Sequence, residues 1–149
     1  MYDKATSDSK SSDWVNSGTS VNTDENGTTL SNTGTQTYTS TKILTGDFEI
    51  VWQSVEDNAI RFGLIGASDT SKIMKFISMT PYSTQFYYKI RRVNGTITVQ
   101  YSTDGVSWTD RSVSTNNITN EDCKFMFSIE ATSTVSRSVT YHDLKAYPI

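Results

Sequence analysis

The stretch from Phe86 to Trp108, FYYKIRRVNGTITVQYSTDGVSW, most constrains the fold. It carries two turn dipeptides, Asn94-Gly95 and Asp104-Gly105. Both dipeptides tolerate the positive φ that a two-residue type I′ turn demands at its two central positions. Placing the first turn at Asn94-Gly95 fixes the pairing outward from it. Val93 faces Thr96, Arg92 faces Ile97, Ile90 faces Val99, Tyr88 faces Tyr101 and Phe86 faces Thr103. The alternate face then pairs Arg91 with Thr98, Lys89 with Gln100 and Tyr87 with Ser102. Because strand side chains alternate between faces, one side of this hairpin is aromatic and aliphatic and the other polar and cationic. A slip of one residue would turn the apolar set to water, so the pattern specifies its register. The second turn predicts a third strand, with Trp108 packed across from Tyr101 on the core side.

Further strand patterns surround this meander. Ile43 to Val55 alternates Phe48, Ile50 and Trp52 against Glu49, Val51 and Gln53. Ala59 to Ala67 points Ile60, Phe62 and Leu64 inward, with Gly63 and Gly66 marking a bulge or a close backbone approach. Lys72 to Met79 is a further strand, and Lys124 to Ala131 sends Phe125, Phe127 and Ile129 inward. In the last strand, Ser138 to Ile149, Val139 and Tyr141 have one parity while Leu144 and Ala146 have the other. A bulge at His142-Asp143 brings both pairs to the core. No helical periodicity of useful length occurs. Short strands separated by Gly, Asn and Asp turns predict an all-β fold, a two-sheet antiparallel β-sandwich. At 149 residues the chain suits a single domain over 1–149.

Residues 1–40 are rich in Ser, Thr, Asn, Asp and Gly, with sparse apolar punctuation. From Trp14 onward the spacing suits short edge strands capping the sandwich, with Trp14 buried under a sheet edge. Residues 1–12 are expected to form a loose N-terminal segment.

Composition removes several function classes. Charged residues make up only 19 % and the net charge is −3, whereas nucleic-acid binding needs a cationic footprint. The basic residues Lys89, Arg91 and Arg92 are read as a solvated sheet face. The single cysteine, Cys123, excludes an intramolecular disulfide and a thiolate zinc cluster and is expected to be a small buried side chain. No apolar run approaches a membrane span, and no signal-peptide pattern opens the chain. Two origins fit: a protein made without secretion, as virion proteins are, or a module of a longer surface protein. Three sequons occur, at Asn26, Asn94 and Asn117, the first two explained by Asn-Gly turns.

The segments GDFEIVW at 46–52, NGT at 94–96, YSTDGVSWT at 101–109 and YHDLKAYPI at 141–149 resemble, in their order, concanavalin-A-like (laminin-G-like) jelly-roll modules. Such modules recur in phage and viral fibre proteins, in adhesin-like surface proteins and beside glycosidase domains. The resemblance covers roughly Thr41 to Ile149. It implies a jelly-roll sandwich whose ligand groove, if it has one, lies on the concave sheet or in the loops at one edge, and it leaves the ligand open because the fold hosts many functions. Some of these modules hold a structural calcium through an acidic residue of the last strand, where Asp143 stands. That ion would need further oxygens from Asp3, Asp8, Asp13 or backbone carbonyls, and no cofactor is assigned. Ser102 to Trp108 also resembles the Asp-box of sialidases, which has one more residue between Asp and Gly and recurs several times. Here the motif is short and single.

Candidate chemistry narrows to binding. A Ser-His-Asp arrangement would have to use the lone His142, and a glycosidase pair would have to use Asp47 and Glu49 without a third acidic partner at Val51. Glu49 is instead expected to pair with a cation across the strand. No phosphate loop or dinucleotide fingerprint is present, so the chain is not expected to be an enzyme. Sugar recognition combines an aromatic platform with planar polar side chains, a mixture that Tyr87, Lys89, Arg91, Gln100 and Thr98 offer, with Tyr82 in the preceding loop. The ligand-binding candidates are therefore Tyr82, Tyr87, Lys89, Arg91 and Gln100. Two readings stand. One is a non-catalytic carbohydrate- or cell-surface-binding module of a viral fibre or adhesin, at the virion or extracellular surface. The other is a structural virion component, a capsid decoration or tail protein, using the sandwich to pack against neighbouring subunits. A plain wet sheet face is the alternative to any site there.

Overall fold

The alternation of β5 (Phe48–Glu56) sets the architecture: Phe48, Ile50, Trp52, Ser54 and Glu56 are buried, and the residues between them half-buried. The computed structural model describes residues 14–15, 20–24, 27–33, 35–56, 60–79, 84–113, 115–130 and 136–149, with side chains described from 37 onward apart from Glu130, Ser136, His142 and Asp143. The other strands are β1 (Trp14–Val15), β2 (Ser20–Asp24), β3 (Gly27–Thr33), β4 (Thr35–Ser40), β6 (Ile60–Gly66), β7 (Ile73–Ile77), β8 (Phe86–Val93), β9 (Thr96–Ser102), β10 (Thr109–Asp110), β11 (Thr115–Asn116), β12 (Cys123–Glu130) and β13 (Ser136–Pro148). They form a six-stranded sheet in the order β1-β4-β12-β6-β7-β11 and a seven-stranded sheet in the order β10-β9-β8-β5-β13-β3-β2. Every pairing described is antiparallel. The fold is a concanavalin-like jelly-roll sandwich.

The facing surfaces meet around Trp52. Its ring stacks on Tyr88 at 5.2 Å between centroids and lies 4.8 Å from Phe125 and 5.4 Å from Phe62. Phe76 and Phe127 complete the shell at 6.5 and 6.3 Å. Trp52, Tyr88, Phe62, Phe76, Phe125 and Phe127 are essentially inaccessible to solvent. Offset and edge-on ring contacts of this kind add about 0.5–1.5 kcal/mol per pair beyond burial itself. The core thus centres on β5 and β8 of one sheet and β6, β7 and β12 of the other.

The β8–β9 hairpin has the expected register from Val93↔Thr96 to Tyr87↔Ser102; the Phe86–Thr103 pair lies beyond its ladder. Its turn places Asn94 at φ 48° and Gly95 at φ 76°, as the type I′ reading requires. The second turn differs. Asp104 is not among the residues with positive φ, and Thr103 to Ser107 forms a run of bends. The strand that follows is only Thr109–Asp110, and Thr109, not Trp108, stands opposite Tyr101. That one-residue offset moves Trp108 to the outer face.

Arg92 also departs from the expected solvated face. It is 1 % exposed, since it shares the parity of Tyr88 and Ile90. Its guanidinium donates to the carbonyls of Gly46 (2.8 and 2.6 Å) and Glu121 (2.6 Å) and lies 4.6 Å over the Phe48 ring. Hydrogen bonds to several carbonyls and a π face compensate a buried cation that forms no ion pair among the described residues.

Other expectations are met with small shifts. In β13 the register steps between His142 and Lys145, so Asp143 and Leu144 together oppose Trp52. This bulge, one residue later than expected, lets Val139, Tyr141, Leu144 and Ala146 all be buried. Gly63 marks a close backbone approach: a Cβ there would overlap the Met74 carbonyl oxygen. Cys123 is buried, and loss of water pushes its thiol up to about 12. β1 and β2 are edge strands, but β3 and β4 lie inside their sheets. The Trp14 side chain, residues 1–13 and the Asn26 turn residue lie outside the described residues.

Candidate functional site

The outer face of β5, β8 and β13 is built by register. Glu49 stands opposite Arg91, Val51 opposite Lys89 and Gln53 opposite Tyr87, while Lys145 is the β13 partner of Val51. The loop after β9 closes the upper side. Asp104 Oδ1 accepts the backbone N–H groups of Val106 and Ser107, both at 2.8 Å, and the Ser102 hydroxyl at 2.8 Å. Ser102 Oγ in turn accepts the N–H groups of Asp104 and Gly105. Those donors, the backbone N–H of Ser107 first, hold the Asp104 carboxyl down to about 2 because each stabilises the anion. Gly105, at φ 76°, brings the loop against Tyr87; a Cβ there would stand 3.1 Å from the Tyr87 ring. The Asp-Gly pair thus forms a side-chain-braced loop that delivers Trp108 to the outer face, instead of a tight hairpin.

The result is a depression of about 290 Å³ lined by Val51, Trp52, Gln53, Tyr87, Gly105, Trp108 and Lys145. Trp52 gives it a floor, with its ring directed into the core, while Tyr87 and Trp108 are half-buried walls. Lys89 Nζ lies 3.9 Å from the centroid of the Trp108 ring, a cation held on an aromatic face. Gln85 donates to the Gln53 side-chain carbonyl at 2.5 Å, which fixes the amide that borders the depression.

Of the residues singled out from sequence, Tyr87 lines the depression and Lys89 borders it through Trp108. Arg91 stands 3.8 Å from Glu49 in a surface ion pair, the cross-strand partner expected for Glu49. Gln100 donates to Asp110 at 2.9 Å. Tyr82 lies outside the described residues. Trp108, Val51, Trp52, Gln53, Gly105 and Lys145 are the described site-lining residues that sequence reasoning did not select. The usable signal was Ser102-x-Asp104-Gly105: a serine and an aspartate two apart, both able to accept local backbone N–H groups, announce a longer braced turn.

Of the catalytic candidates, Asp47 and Glu49 are among the described side chains, and neither lines the depression. Asp47 Oδ1 accepts the Asn94 N–H at 2.9 Å, tying the entry of β5 to the β8–β9 turn. Among the described residues no three His, Cys, Asp or Glu side chains are grouped to hold a metal ion. The side chains of Asp3, Asp8, Asp13, His142 and Asp143 are not among those described. No helix is long and apolar enough to cross a membrane. A buried carboxyl, Glu56, accepts hydrogen bonds from the Tyr88 hydroxyl and, at 3.1 Å, from Ser54. It belongs to the core.

No family model matches the sequence, and no curated protein matches it. Solved structures are similar in fold. A functionally unknown protein from Saccharomyces cerevisiae has a TM-score of 0.69 at 9 % identity, covering 91 % of this chain and 95 % of that one. The carbohydrate-binding module CBM66 from Bacillus subtilis has a TM-score of 0.62 at 8 % identity, covering 90 % and 94 %. A peanut lectin has a TM-score of 0.60 at 10 % identity, covering 95 % and 94 %. Glycosidases also occur among the similar folds, including a GH43 protein from Bacillus licheniformis, 39 % of whose chain is covered. At such identities the likeness establishes the sandwich and nothing finer.

Proposed function

We propose that the chain is a non-catalytic carbohydrate-binding module that recognises its ligand in the depression between Tyr87 and Trp108. One observation carries this reading: two aromatic side chains, a fixed amide and a lysine converge on one concavity in an otherwise polar sheet face. Aromatic rings cover the C–H faces of a pyranose, while the amide and the ammonium group meet its hydroxyls. The same sandwich serves a carbohydrate-binding module and a lectin, which supports the reading by analogy of fold. A place on a viral fibre or an adhesin, at the virion or extracellular surface, is the setting in which a small sugar-binding sandwich of this composition would act.

A glycan array probed with the purified chain tests the site. The wild-type chain is expected to be retained, and Trp108→Ala and Tyr87→Ala are each expected to abolish retention while thermal unfolding shifts by only a few degrees. Retention of both variants at wild-type level would move the site elsewhere.

A further inference from the structure

Resting on that reading, we infer that the pocket selects an acidic saccharide, one bearing a carboxylate or a sulfate. The argument is one of unmatched charge. Away from the depression, Arg91 is matched by Glu49 across the strand, and Asp110 takes a hydrogen bond from the Gln100 amide. At the depression itself the balance is different. Lys145 lines it and Lys89 stands over its Trp108 wall, and neither forms an ion pair among the described residues. Among the described residues, none that lines it is acidic. On the loop side Asp104, next to Gly105 in the chain, is not among the lining residues, and its Oδ1 accepts from Val106, Ser107 and Ser102. On β13, Asp143 precedes Lys145 by two positions, in the bulge.

Two ammonium groups beside two aromatic walls create a site where a ring can lie against Tyr87 while its anionic substituent meets the lysines. Lys89 gains from the Trp108 face without being neutralised by it, so an arriving anion adds a charge-assisted hydrogen bond. The chain as a whole carries a net charge of −3, which repels extended polyanions. The two lysines at the depression therefore favour a small acidic ligand that fits the concavity.

Matched saccharides separate the alternatives: lactose, sialyllactose and a sulfated lactose, titrated by calorimetry at low and high salt, with polyglutamate as a non-sugar polyanion. The acidic sugars are expected to bind about tenfold or more tightly than lactose, as a charge-assisted contact allows, and to weaken with added salt. The Lys89→Gln/Lys145→Gln double variant is expected to erase the preference. Whichever of the carboxylated and sulfated sugars binds tighter identifies the anion. Equal, Trp108-dependent binding of lactose and its acidic forms would overturn the acidic preference and leave the sugar reading standing. Polyglutamate binding that matches the acidic sugars would overturn a saccharide-specific site. No binding of any probe, together with an empty glycan array, would overturn both.

Discussion

Glu56 shows how one residue can tie this core to pH. It is 2 % exposed, at the end of β5, and loss of water pushes its carboxyl up to about 7, against the pull of the Tyr88 and Ser54 hydrogen bonds. Burial and the Glu56 charge together hold the Tyr88 hydroxyl well above the usual tyrosine range. A carboxyl whose folded value exceeds its unfolded one keeps its proton longer in the native state. Its contribution is therefore fully present below about pH 4.5 and is lost as pH rises through about 7. The span corresponds to roughly 3 kcal/mol. Urea unfolding at pH 5 and pH 8 is expected to show the wild type losing stability across that interval, and Glu56→Gln losing about that much less. Parallel pH profiles for the two proteins would place Glu56 outside the linkage. None of this was legible beforehand, because a Glu in VWQSVED reads as a turn residue until β5 extends to include it.

At the scale of elements, legibility followed the strength of local turn chemistry. Asn94-Gly95 specifies one tight turn, and the β8–β9 ladder follows from it residue by residue. Asp104-Gly105 contains the same kind of dipeptide. Here, however, the Ser102 and Asp104 side chains capture the backbone N–H groups that a two-residue turn would leave free. The loop lengthens, the register shifts by one, and Trp108 faces outward instead of packing opposite Tyr101. That single offset hid Gly105 and Trp108, while Tyr87 and Lys89 were found because they sit on the well-specified hairpin. The two tryptophans should consequently behave in opposite ways. Trp52→Ala removes the centre of the aromatic cluster and is expected to destabilise by about 3–5 kcal/mol, whereas Trp108→Ala is expected to lose less than about 1 kcal/mol. Chemical denaturation of the two variants side by side checks this; a Trp108→Ala loss as large as that of Trp52→Ala would return Trp108 to the core.

For the whole molecule, alternation in β5, β6, β12 and β13 was enough to predict two sheets, because residues facing one core must recur at every second position. Strand order was not legible: β3 and β4, read as edge strands from their Thr-rich sequence, each end up between two neighbours. What joins the sheets at one end is also invisible to patterning. Arg92, on the seven-stranded sheet, reaches the Gly46 carbonyl before β5, the Glu121 carbonyl before β12, and Cys123 Sγ at 3.9 Å on the six-stranded sheet. A planar guanidinium addresses these directions at once, whereas a lysine ammonium on a single stem does not. Arg92→Lys is accordingly expected to lower stability nearly as much as Arg92→Met, by about 3 kcal/mol in each case, since both leave buried carbonyls without donors. Trp108 and Lys89 lie on the opposite face of the seven-stranded sheet, so saccharide affinity should survive at temperatures where the variants remain folded. Thermal unfolding combined with binding at 10 °C separates the two effects. An Arg92→Lys protein as stable as wild type would mean that the carbonyls are satisfied without the fork.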